Sequence, residues 1–417
     1  MFEDENKIVI VDSIMGSYKT TRMIELMKEY KDEYRFMYIT PYLAEIERIK
    51  QHVSMVEPKA VRGSKLEHIR QLTESGVNIV STHSLLSRFD MEIQNNIESG
   101  EYVLILDEVS NVVEQHYFNT INDMEDFFKF YASVGEDGYV YWDEVAHPID
   151  TYKKGSKFYE EMILCINKNL VMVNDKLLLW ELPVEIFKKF HKVIILTYLF
   201  EGSVQKPYFD LFDVKYSKYS VKDKQIVPYI ETSKEEKDKI KSLINIIDNE
   251  GLNKIGNDYY ALSATWYENN VKTSGKNVHQ DRLSKNLVTY FKKYTKASSN
   301  KKEVLWTTFE TYKNRIKGKG FTKGYVTYNI RATNDYINSY GLAYMVNVFP
   351  HTSLTMYFRF RNSEIKIDRD MYALSTLLQW IWRSRIRNTN LQDSDRKIDL
   401  YIPSISMRTI LLNWLNS

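Results

Sequence analysis

The residues best suited to chemistry follow the first apolar run of the sequence. Residues 8–11 are β-branched and predict a buried strand, after which a short loop with Gly16 leads to Lys19 and Thr20. A strand, a tight loop and a helix that begins with Lys-Thr are typical of a phosphate-binding loop. In such a loop the backbone N–H groups surround the anion, the lysine reaches the outer phosphates and the hydroxyl holds Mg²⁺. An ordinary turn between a strand and a helix can contain the same residue types, so the loop needs support from elsewhere in the chain.

A pair of carboxylates ends a second apolar run. Residues 103–106 are apolar and are followed by Asp107 and Glu108. Ligands of open α/β sheets bind at the carboxyl ends of the strands, where one carboxylate can hold Mg²⁺ and its neighbour can orient an attacking water. The alternative is a chance acidic pair at a strand end. The Lys19 loop favours the functional interpretation.

A third set of polar residues recurs at helical spacing near the end of the chain. Gln379, Arg383 and Arg387 are four residues apart and share one face if the segment is a single helix. Such a face could meet an anion such as a triphosphate, and an arginine there would neutralise charge on a transferred phosphoryl group. A surface helix paired to acidic neighbours explains the pattern equally well.

The elements around these residues alternate between strand and helix. Strands are also predicted at residues 35–40, 77–83 and 192–197, with helical patterns between them. This alternation predicts a parallel, doubly wound sheet. Residues 120–182 depart from it and predict an insertion of helices and a hairpin, whose turn is Asn174-Asp175.

The second half of the chain repeats the α/β pattern. Its predicted strands are residues 259–263, 304–308, 324–328 and 398–402. The sequence therefore predicts two α/β domains in tandem, residues 1–205 and residues 206–417.

Composition limits the classes of protein that remain. The 417 residues are 43% hydrophobic, yet no run of about 18 apolar residues is present, so a membrane span is not expected. The acidic N-terminus lacks the pattern of a signal peptide, and the single Cys165 excludes an intramolecular disulfide. We expect a cytoplasmic protein.

Residues 281–331 form a basic region with interleaved aromatic residues. Lysine and arginine outnumber aspartate and glutamate several-fold there. The composition is typical of a surface that follows phosphates and stacks bases. A solvated helix face over core aromatics has the same composition.

Taken in order, these segments resemble superfamily 2 helicases, and most closely the small DEAD/DEAH-type helicase-like proteins of phage genomes. The resemblance covers nearly the whole chain. It rests on residues 13–20 (similar to motif I), Thr40-Pro41-Tyr42 (motif Ia), Ser81-Thr82-His83, Asp107-Glu108 (motif II), Thr197-Tyr198-Leu199 (motif III), residues 331–334 (motif V) and Gln379 with Arg383 and Arg387 (motif VI).

The resemblance implies two tandem RecA-like domains of parallel sheets flanked by helices, with an α+β insertion in the first. It implies ATP and Mg²⁺ as cofactors, and nucleic acid as partner, DNA in preference to RNA, with replication proteins as further partners in the bacterial host cytoplasm. The nucleotide-binding residues would be Gly16, Ser17, Tyr18, Lys19, Thr20 and Thr21, the metal ligands Thr20 and Asp107, and the catalytic residues Glu108, Gln379, Arg383 and Arg387. The nucleic-acid-binding residues would be Thr40, Pro41, Tyr42, Ser81, Thr82, His83, Lys319, Lys323, Arg331 and Thr333.

The sequence departs from the family at three motif positions. Tyr18 replaces the glycine before the motif I lysine, Tyr198 replaces the small residue of motif III, and Trp382 replaces a glycine of motif VI. Besides an active helicase, the sequence is therefore compatible with a helicase-derived binding or replication-accessory protein that has lost hydrolysis. A small-molecule kinase with a phosphate-binding loop would leave the second domain unexplained.

Overall fold

The computed structural model describes residues 1–60, 65–86, 89–272, 275, 277–298, 302–329, 335–388 and 390–417. Contacts between Cα atoms divide the chain into two units. Unit 1 comprises Met1–Asp12, Lys19–Pro228 and His351–Ile367, and unit 2 comprises Ser13–Tyr18, Tyr229–Pro350 and Asp368–Ser417.

The strands and helices are numbered in chain order. The strands are β1 (Ile8–Asp12), β2 (Arg35–Ile39), β3 (Ile79–Ser81), β4 (Tyr102–Asp107), β5 (Val113–Gln115), β6 (Ala132–Val134), β7 (Val140–Trp142), β8 (Leu170–Val173), β9 (Leu177–Glu181), β10 (Lys192–Thr197), β11 (Tyr216–Lys222), β12 (Gln225–Pro228), β13 (Ile244–Ile246), β14 (Val304–Thr307), β15 (Gly341–Tyr344) and β16 (Ile398–Tyr401). The α-helices are α1 (Lys19–Glu29), α2 (Leu43–His52), α3 (Lys65–Glu74), α4 (His83–Leu86), α5 (Met91–Ser99), α6 (Ile121–Phe130), α7 (Tyr159–Ile166), α8 (Glu185–Lys189), α9 (Gln205–Leu211), α10 (Lys234–Ser242), α11 (Glu250–Asn253), α12 (Ala264–Asn270), α13 (Val278–Thr289), α14 (Lys313–Ile316), α15 (Thr352–Arg361), α16 (Arg369–Ile381) and α17 (Ile405–Asn416).

The main sheet of unit 1 has the order β12-β11-β1-β10-β4-β2-β3. Its strands are parallel except β12, which runs antiparallel to β11 at the edge. The strands predicted from apolar runs, β1, β2, β3, β4 and β10, are confirmed. They are buried on both faces, because alternate residues of β1 enter two different hydrophobic clusters, one on each side of the sheet.

The predicted insertion lies between β4 and β10. It contains a sheet of order β5-β9-β8, the hairpin β6–β7 and the helices α6 and α7. Asn174 and Asp175 both have left-handed backbone angles (φ 52° and 54°) in the short loop between the paired residues Val173 and Leu177, so the predicted hairpin is confirmed. A hydrophobic cluster that includes Phe127, Trp142 and Phe158 gives the insertion a core of its own.

Unit 2 contains a parallel sheet of order β13-β16-β15-β14. The strands predicted at residues 304–308 and 398–402 are confirmed as β14 and β16. The strand predicted at residues 259–263 is wrong: the segment is a turn held by the Asn347 amide, which donates to the carbonyls of Tyr259 and Ala261. The strand predicted at residues 324–328 is also wrong, since only a single bridge joins Tyr325 to Trp306 there.

The predicted fold class is confirmed: tandem α/β domains of the RecA-like kind, with parallel sheets flanked by helices and an α+β insertion in the first. Among the described residues, no helix combines the length and the hydropathy needed to cross a membrane.

Candidate nucleotide-binding site

The carboxyl ends of the parallel strands of unit 1 meet at one edge of the main sheet. The register pairs Asp12 at the end of β1 with Thr197 at the end of β10, and Leu196 with Asp107 at the end of β4. Ile39 of β2 pairs with Ser81 of β3 and with Leu106 of β4, the residue before Asp107. Residues predicted from separate motifs are thereby brought to one edge.

Backbone geometry distinguishes the loop between β1 and α1. Gly16 and Tyr18 both have left-handed angles, φ 87° and 68°, and a Cβ added to Gly16 would meet nothing within 4 Å. Tyr18 is a non-glycine residue in a conformation that favours glycine, and 49% of it is exposed. The first turn of α1, which begins at Lys19, has no acidic residue, so no carboxylate competes for the positive end of its dipole.

Asp107 lies in an electrostatically unusual environment. Burial, with added repulsion from Glu108 and Glu45, raises the pKa of Asp107 to about 7. The Tyr38 hydroxyl and the Lys19 ammonium act in the opposite direction and lower this pKa. The charge of Lys19, at the start of α1, therefore acts on Asp107, at the end of β4.

The residues around Asp107 suit a hard cation. The Thr40 hydroxyl is 3.5 Å from Asp107 Oδ2. The buried Tyr38 hydroxyl, whose pKa is affected by Asp107 and Thr20, has no hydrogen-bond partner among the described residues. Carboxylate and hydroxyl oxygens are the ligands that Mg²⁺ prefers. A bound cation would also stabilise the ionised form of Asp107, whose pKa is raised in its absence. The oxygen atoms of Asp107 and Thr20 therefore fit Mg²⁺.

Glu108 has the left-handed backbone angle φ 83°, which is rare for glutamate. Its N–H donates to the Leu196 carbonyl of β10 at 3.0 Å, and this bond holds the residue directly after the strand end. Strained backbone of this kind occurs at functional sites when the surrounding structure fixes it.

Asp12 is a functional candidate that sequence reasoning missed. Its buried carboxylate accepts the backbone N–H groups of Leu199 at 2.9 Å and Phe200 at 3.0 Å, and Lys218 Nζ lies 4.0 Å from it. Burial raises the pKa of Asp12, against the effect of these partners and of Lys19. Asp12 could have been identified from the sequence because it is an acidic residue at the end of an apolar strand, which is the pattern that identified Asp107.

The residues predicted to bind nucleic acid in unit 1 differ in accessibility. Thr40 and Ser81 are buried, and the Thr40 N–H donates to the Ser81 carbonyl at 3.0 Å. The half-buried ones are Pro41, Tyr42, Thr82 and His83. Among the nucleotide-binding candidates, Thr21 accepts a hydrogen bond from Arg48 of α2 at 3.1 Å, and Ser17 is half-buried.

The predicted helix face of Gln379, Arg383 and Arg387 is wrong. Helix α16 ends at Ile381. The Ser384 hydroxyl donates a hydrogen bond to the Ile381 carbonyl at 2.7 Å, and the backbone of Ser384 is extended, so the helix cannot continue through it. Gln379 lies within α16, Arg383 follows its end, and Arg387 ends the 3₁₀ turn Arg385–Arg387.

Arg383 nevertheless has an unusual environment. Only 4% of the residue is exposed. Within the described part of the chain, its guanidinium makes no hydrogen bond or ion pair, and its buried Nε is among the unsatisfied polar atoms. A buried guanidinium is stable only when it is paired, so Arg383 is suited to an anionic ligand.

In the basic region, residues 281–331, most of the aromatic side chains lie in the protein core, as in the alternative of a solvated helix face over core aromatics. Those buried in the core of unit 2 are Tyr290, Phe291, Trp306, Tyr312 and Phe321. They cannot stack bases from there. Lys319 and Lys323 are exposed, whereas Arg331 and Thr333 lie outside the described residues.

Comparison with known proteins finds a family model, a relative in sequence and similar folds. A family model described as the YonV C-terminal Rossmann-like domain matches residues 238–415. In fold, the chain is similar to Xpd4 of S. tokodaii, with a TM-score of 0.47, 10% identity, and coverage of 99% of this chain and 94% of that chain. It is also similar to the helicase MrfA bound to DNA and AMPPNP, with a TM-score of 0.35, 8% identity, and coverage of 99% of this chain and 48% of that chain. The chain is 36% identical over 425 residues to the SPbeta prophage-derived protein YonV of Bacillus subtilis (strain 168), with 99% of each protein covered, and it therefore belongs to the YonV family.

Proposed function

We propose that the chain is a nucleic-acid-dependent ATPase of the superfamily 2 helicase type, acting on DNA in phage replication or recombination. The observation that carries the proposal is the register of the sheet, which brings the end of β1, from which the loop to Lys19 leaves, and Asp107, at the end of β4, to the same edge. The Lys19 ammonium also lowers the pKa of Asp107. A lysine that follows a glycine-containing loop and a carboxylate at a neighbouring strand end are what a bound nucleoside triphosphate requires.

Each candidate residue has a role in this proposal. Lys19 and the N-terminus of α1 bind phosphates, Thr20 and Asp107 hold Mg²⁺, and Glu108 orients the attacking water. When bound, Mg²⁺ neutralises charge on the phosphates. The arginines Arg383 and Arg387 would neutralise charge that develops on the transferred group. That no described residue pairs with the guanidinium of Arg383 supports its role.

ATP hydrolysis by the purified full chain tests the proposal, with and without single-stranded DNA and with RNA of the same sequence. We expect DNA to stimulate hydrolysis, and both Lys19→Ala and Glu108→Gln to abolish it while circular dichroism shows folded protein. Lys28→Ala, an exposed lysine in the last turn of the same helix, is the matched control and should hydrolyse ATP normally. Hydrolysis that persists in Lys19→Ala or Glu108→Gln contradicts the assigned roles.

Tyr18 supports a second candidate, a nucleic-acid-binding or replication-accessory protein with impaired hydrolysis. Its left-handed backbone stands where a flexible glycine would let the loop approach phosphates. The Tyr18→Gly variant separates the two candidates. Hydrolysis gained from near zero supports the accessory protein, and hydrolysis that is high in wild type and changes little supports the active ATPase.

A further inference from the structure

The hairpin β6–β7 of the insertion has an open edge. The Asp143 N–H donates to the Tyr131 carbonyl at 2.8 Å, and the Gly135 N–H donates to the Tyr139 carbonyl at 2.9 Å. Because antiparallel strands alternate, Ala132 and Val134 direct their N–H and C=O groups away from β7. Within the described part of the chain these groups make no hydrogen bond. Val134 is exposed, while Ala132 packs its side chain into the core of the insertion, so an added strand would reach β6 from the side of Val134.

A cavity of about 470 Å³ opens beside this edge. Its lining residues are Lys129, Phe130, Ala132, Ser133, Trp142, Asp143, Glu144 and Val145. Phe130 is 53% exposed and Val145 is 95% exposed, which is unusual for large apolar side chains grouped at one place. The cavity can therefore receive an apolar side chain from a strand added to β6.

The walls of the cavity are fixed by hydrogen bonds around His147. The His147 Nε2 lies 2.8 Å from the Phe130 carbonyl oxygen, and the Trp142 indole N–H donates to the His147 carbonyl at 2.8 Å. The Asp143 carboxylate accepts the N–H groups of Val145 at 3.1 Å and Ala146 at 3.0 Å. The edge and the cavity are thus held in place before any partner binds.

The charge of this part of the chain decides which partner fits. Residues 114–150 contain nine aspartates and glutamates against one lysine, in a chain whose net charge is +2. Asp123 and Asp126 pair with Lys157, but Glu144 at the cavity is exposed and makes no ion pair among the described residues. Such a surface repels nucleic-acid phosphates and attracts lysine or arginine side chains.

We propose that the insertion is a docking site for an extended, basic segment of a partner protein. The segment adds as a strand to β6, pairing with the outward backbone groups of Ala132 and Val134. An apolar side chain enters the cavity beside Phe130 and Val145, and flanking lysines or arginines face Asp143 and Glu144. Docking of this kind does not depend on ATP hydrolysis.

Binding of a fluorescein-labelled peptide of alternating lysine and valine to the full chain tests the proposal. We expect it to bind, and the same peptide with glutamate for lysine not to bind. Glu144→Lys should weaken binding about fivefold through charge reversal, while Glu33→Lys, an exposed reversal on another surface of unit 1, should not. Val134→Pro removes the outward N–H and should weaken binding about tenfold, while Val134→Thr keeps that N–H and should bind normally.

Hydrogen exchange of the complex locates the peptide. We expect the amides of Ala132 and Val134 to become protected when the peptide binds, and circular dichroism of each variant shows whether it remains folded. If Val134→Pro unfolds, Glu144→Lys and the exchange data still decide the matter. The proposal is overturned if the lysine peptide does not bind, if it binds as well to Glu144→Lys as to Glu33→Lys, if protection appears elsewhere, or if this surface protects single-stranded DNA instead.

Discussion

Tyr18 places a large side chain at a backbone position suited to glycine. A non-glycine residue in the left-handed region costs about 1 kcal/mol relative to its relaxed conformation. The Tyr18 side chain is half-exposed. The strain therefore resides in the loop that is the candidate for phosphate binding.

Replacing Tyr18 by glycine should relieve this strain. We expect Tyr18→Gly to raise the free energy of unfolding by up to about 1 kcal/mol, measured by urea denaturation. Its neighbour Ser17 has no left-handed angle, so Ser17→Gly should lower the free energy of unfolding by about 0.5 kcal/mol through backbone entropy alone. Equal losses in both variants would show that Tyr18 is not strained.

The raised pKa of Asp107 predicts that the free energy of unfolding depends on pH. Its folded pKa of about 7 lies above the ordinary value of 3.8, so between these values the folded state binds more protons than the unfolded state. Stability contributed by protonated Asp107 is therefore lost as the pH rises from about 4 to above 7. Asp107→Asn removes this loss.

We expect the free energy of unfolding of Asp107→Asn, relative to wild type, to increase by about 2 kcal/mol or more between pH 4 and pH 8 in buffer without divalent cations. Mg²⁺ should then stabilise wild type and not the variant. Asp150→Asn, at an exposed position of the insertion, serves as the control and should show no such trend. Parallel pH profiles for wild type and Asp107→Asn would contradict the assignment.

At the scale of elements, Asp12 links the end of β1 to the turn that follows β10. This turn begins with Leu199 in a left-handed conformation and continues as the 3₁₀ turn Phe200–Gly202. The Asp12 carboxylate accepts the N–H groups of Leu199 and Phe200. The end of β1 and the turn after β10 are therefore connected through one buried side chain.

Asp12→Ala should release that turn. It leaves two backbone donors without an acceptor, so we expect a loss of about 2 kcal/mol in the free energy of unfolding and faster hydrogen exchange at Leu199 and Phe200. Asp12→Asn keeps one acceptor oxygen and should lie between wild type and alanine. Unchanged exchange rates in Asp12→Ala would show that the turn is held by other contacts.

Sequence patterns predicted the elements whose burial is complete on both faces. Runs such as that of β10 are continuous and apolar, and parallel strands must bring their carboxyl ends to one edge. This is why Lys19 and Asp107 could be expected to meet. The strand β11, which lies between β12 and β1, was missed because Tyr, Ser and Lys alternate in it. The strand β13 was missed because three residues give no periodicity.

Two errors have local physical causes. Residues 259–263 are apolar enough for a strand, but the buried Asn347 amide holds their carbonyls in a turn. The helical spacing of Gln379 and Arg383 extends past the real end of α16, which Ser384 determines by bonding the Ile381 carbonyl. Neither a distant amide nor a serine that ends a helix is visible in a hydrophobic pattern.

At the scale of the whole molecule, the helix α15 belongs to a different unit from the elements on either side of it in the sequence. It lies between β15 and α16 of unit 2 in sequence, yet it belongs to unit 1. Tyr357 and Phe358 of α15 enter the main hydrophobic core there. Glu181, which is 1% exposed, accepts hydrogen bonds from Tyr357 and, at 2.6 Å, from Tyr139, and Arg361 lies 3.7 Å from it.

This arrangement predicts that residues 1–228 cannot reach full stability alone. Without α15, the buried Glu181 loses Arg361 and Tyr357, and breaking a buried ion pair of this kind costs about 3–5 kcal/mol. We expect the fragment to unfold at a lower temperature than the full chain and to bind a hydrophobic dye.

A synthetic peptide of residues 351–367 should restore the melting temperature of that fragment. The same peptide with Arg361→Ala should restore much less, because the charge of Glu181 would stay uncompensated. Its matched control is Arg359→Ala, which removes an exposed arginine from the same helix and should restore as well as wild type. A fragment that melts like the full chain, or peptides that act alike, would show that unit 1 folds without α15, and that the Glu181 network is dispensable.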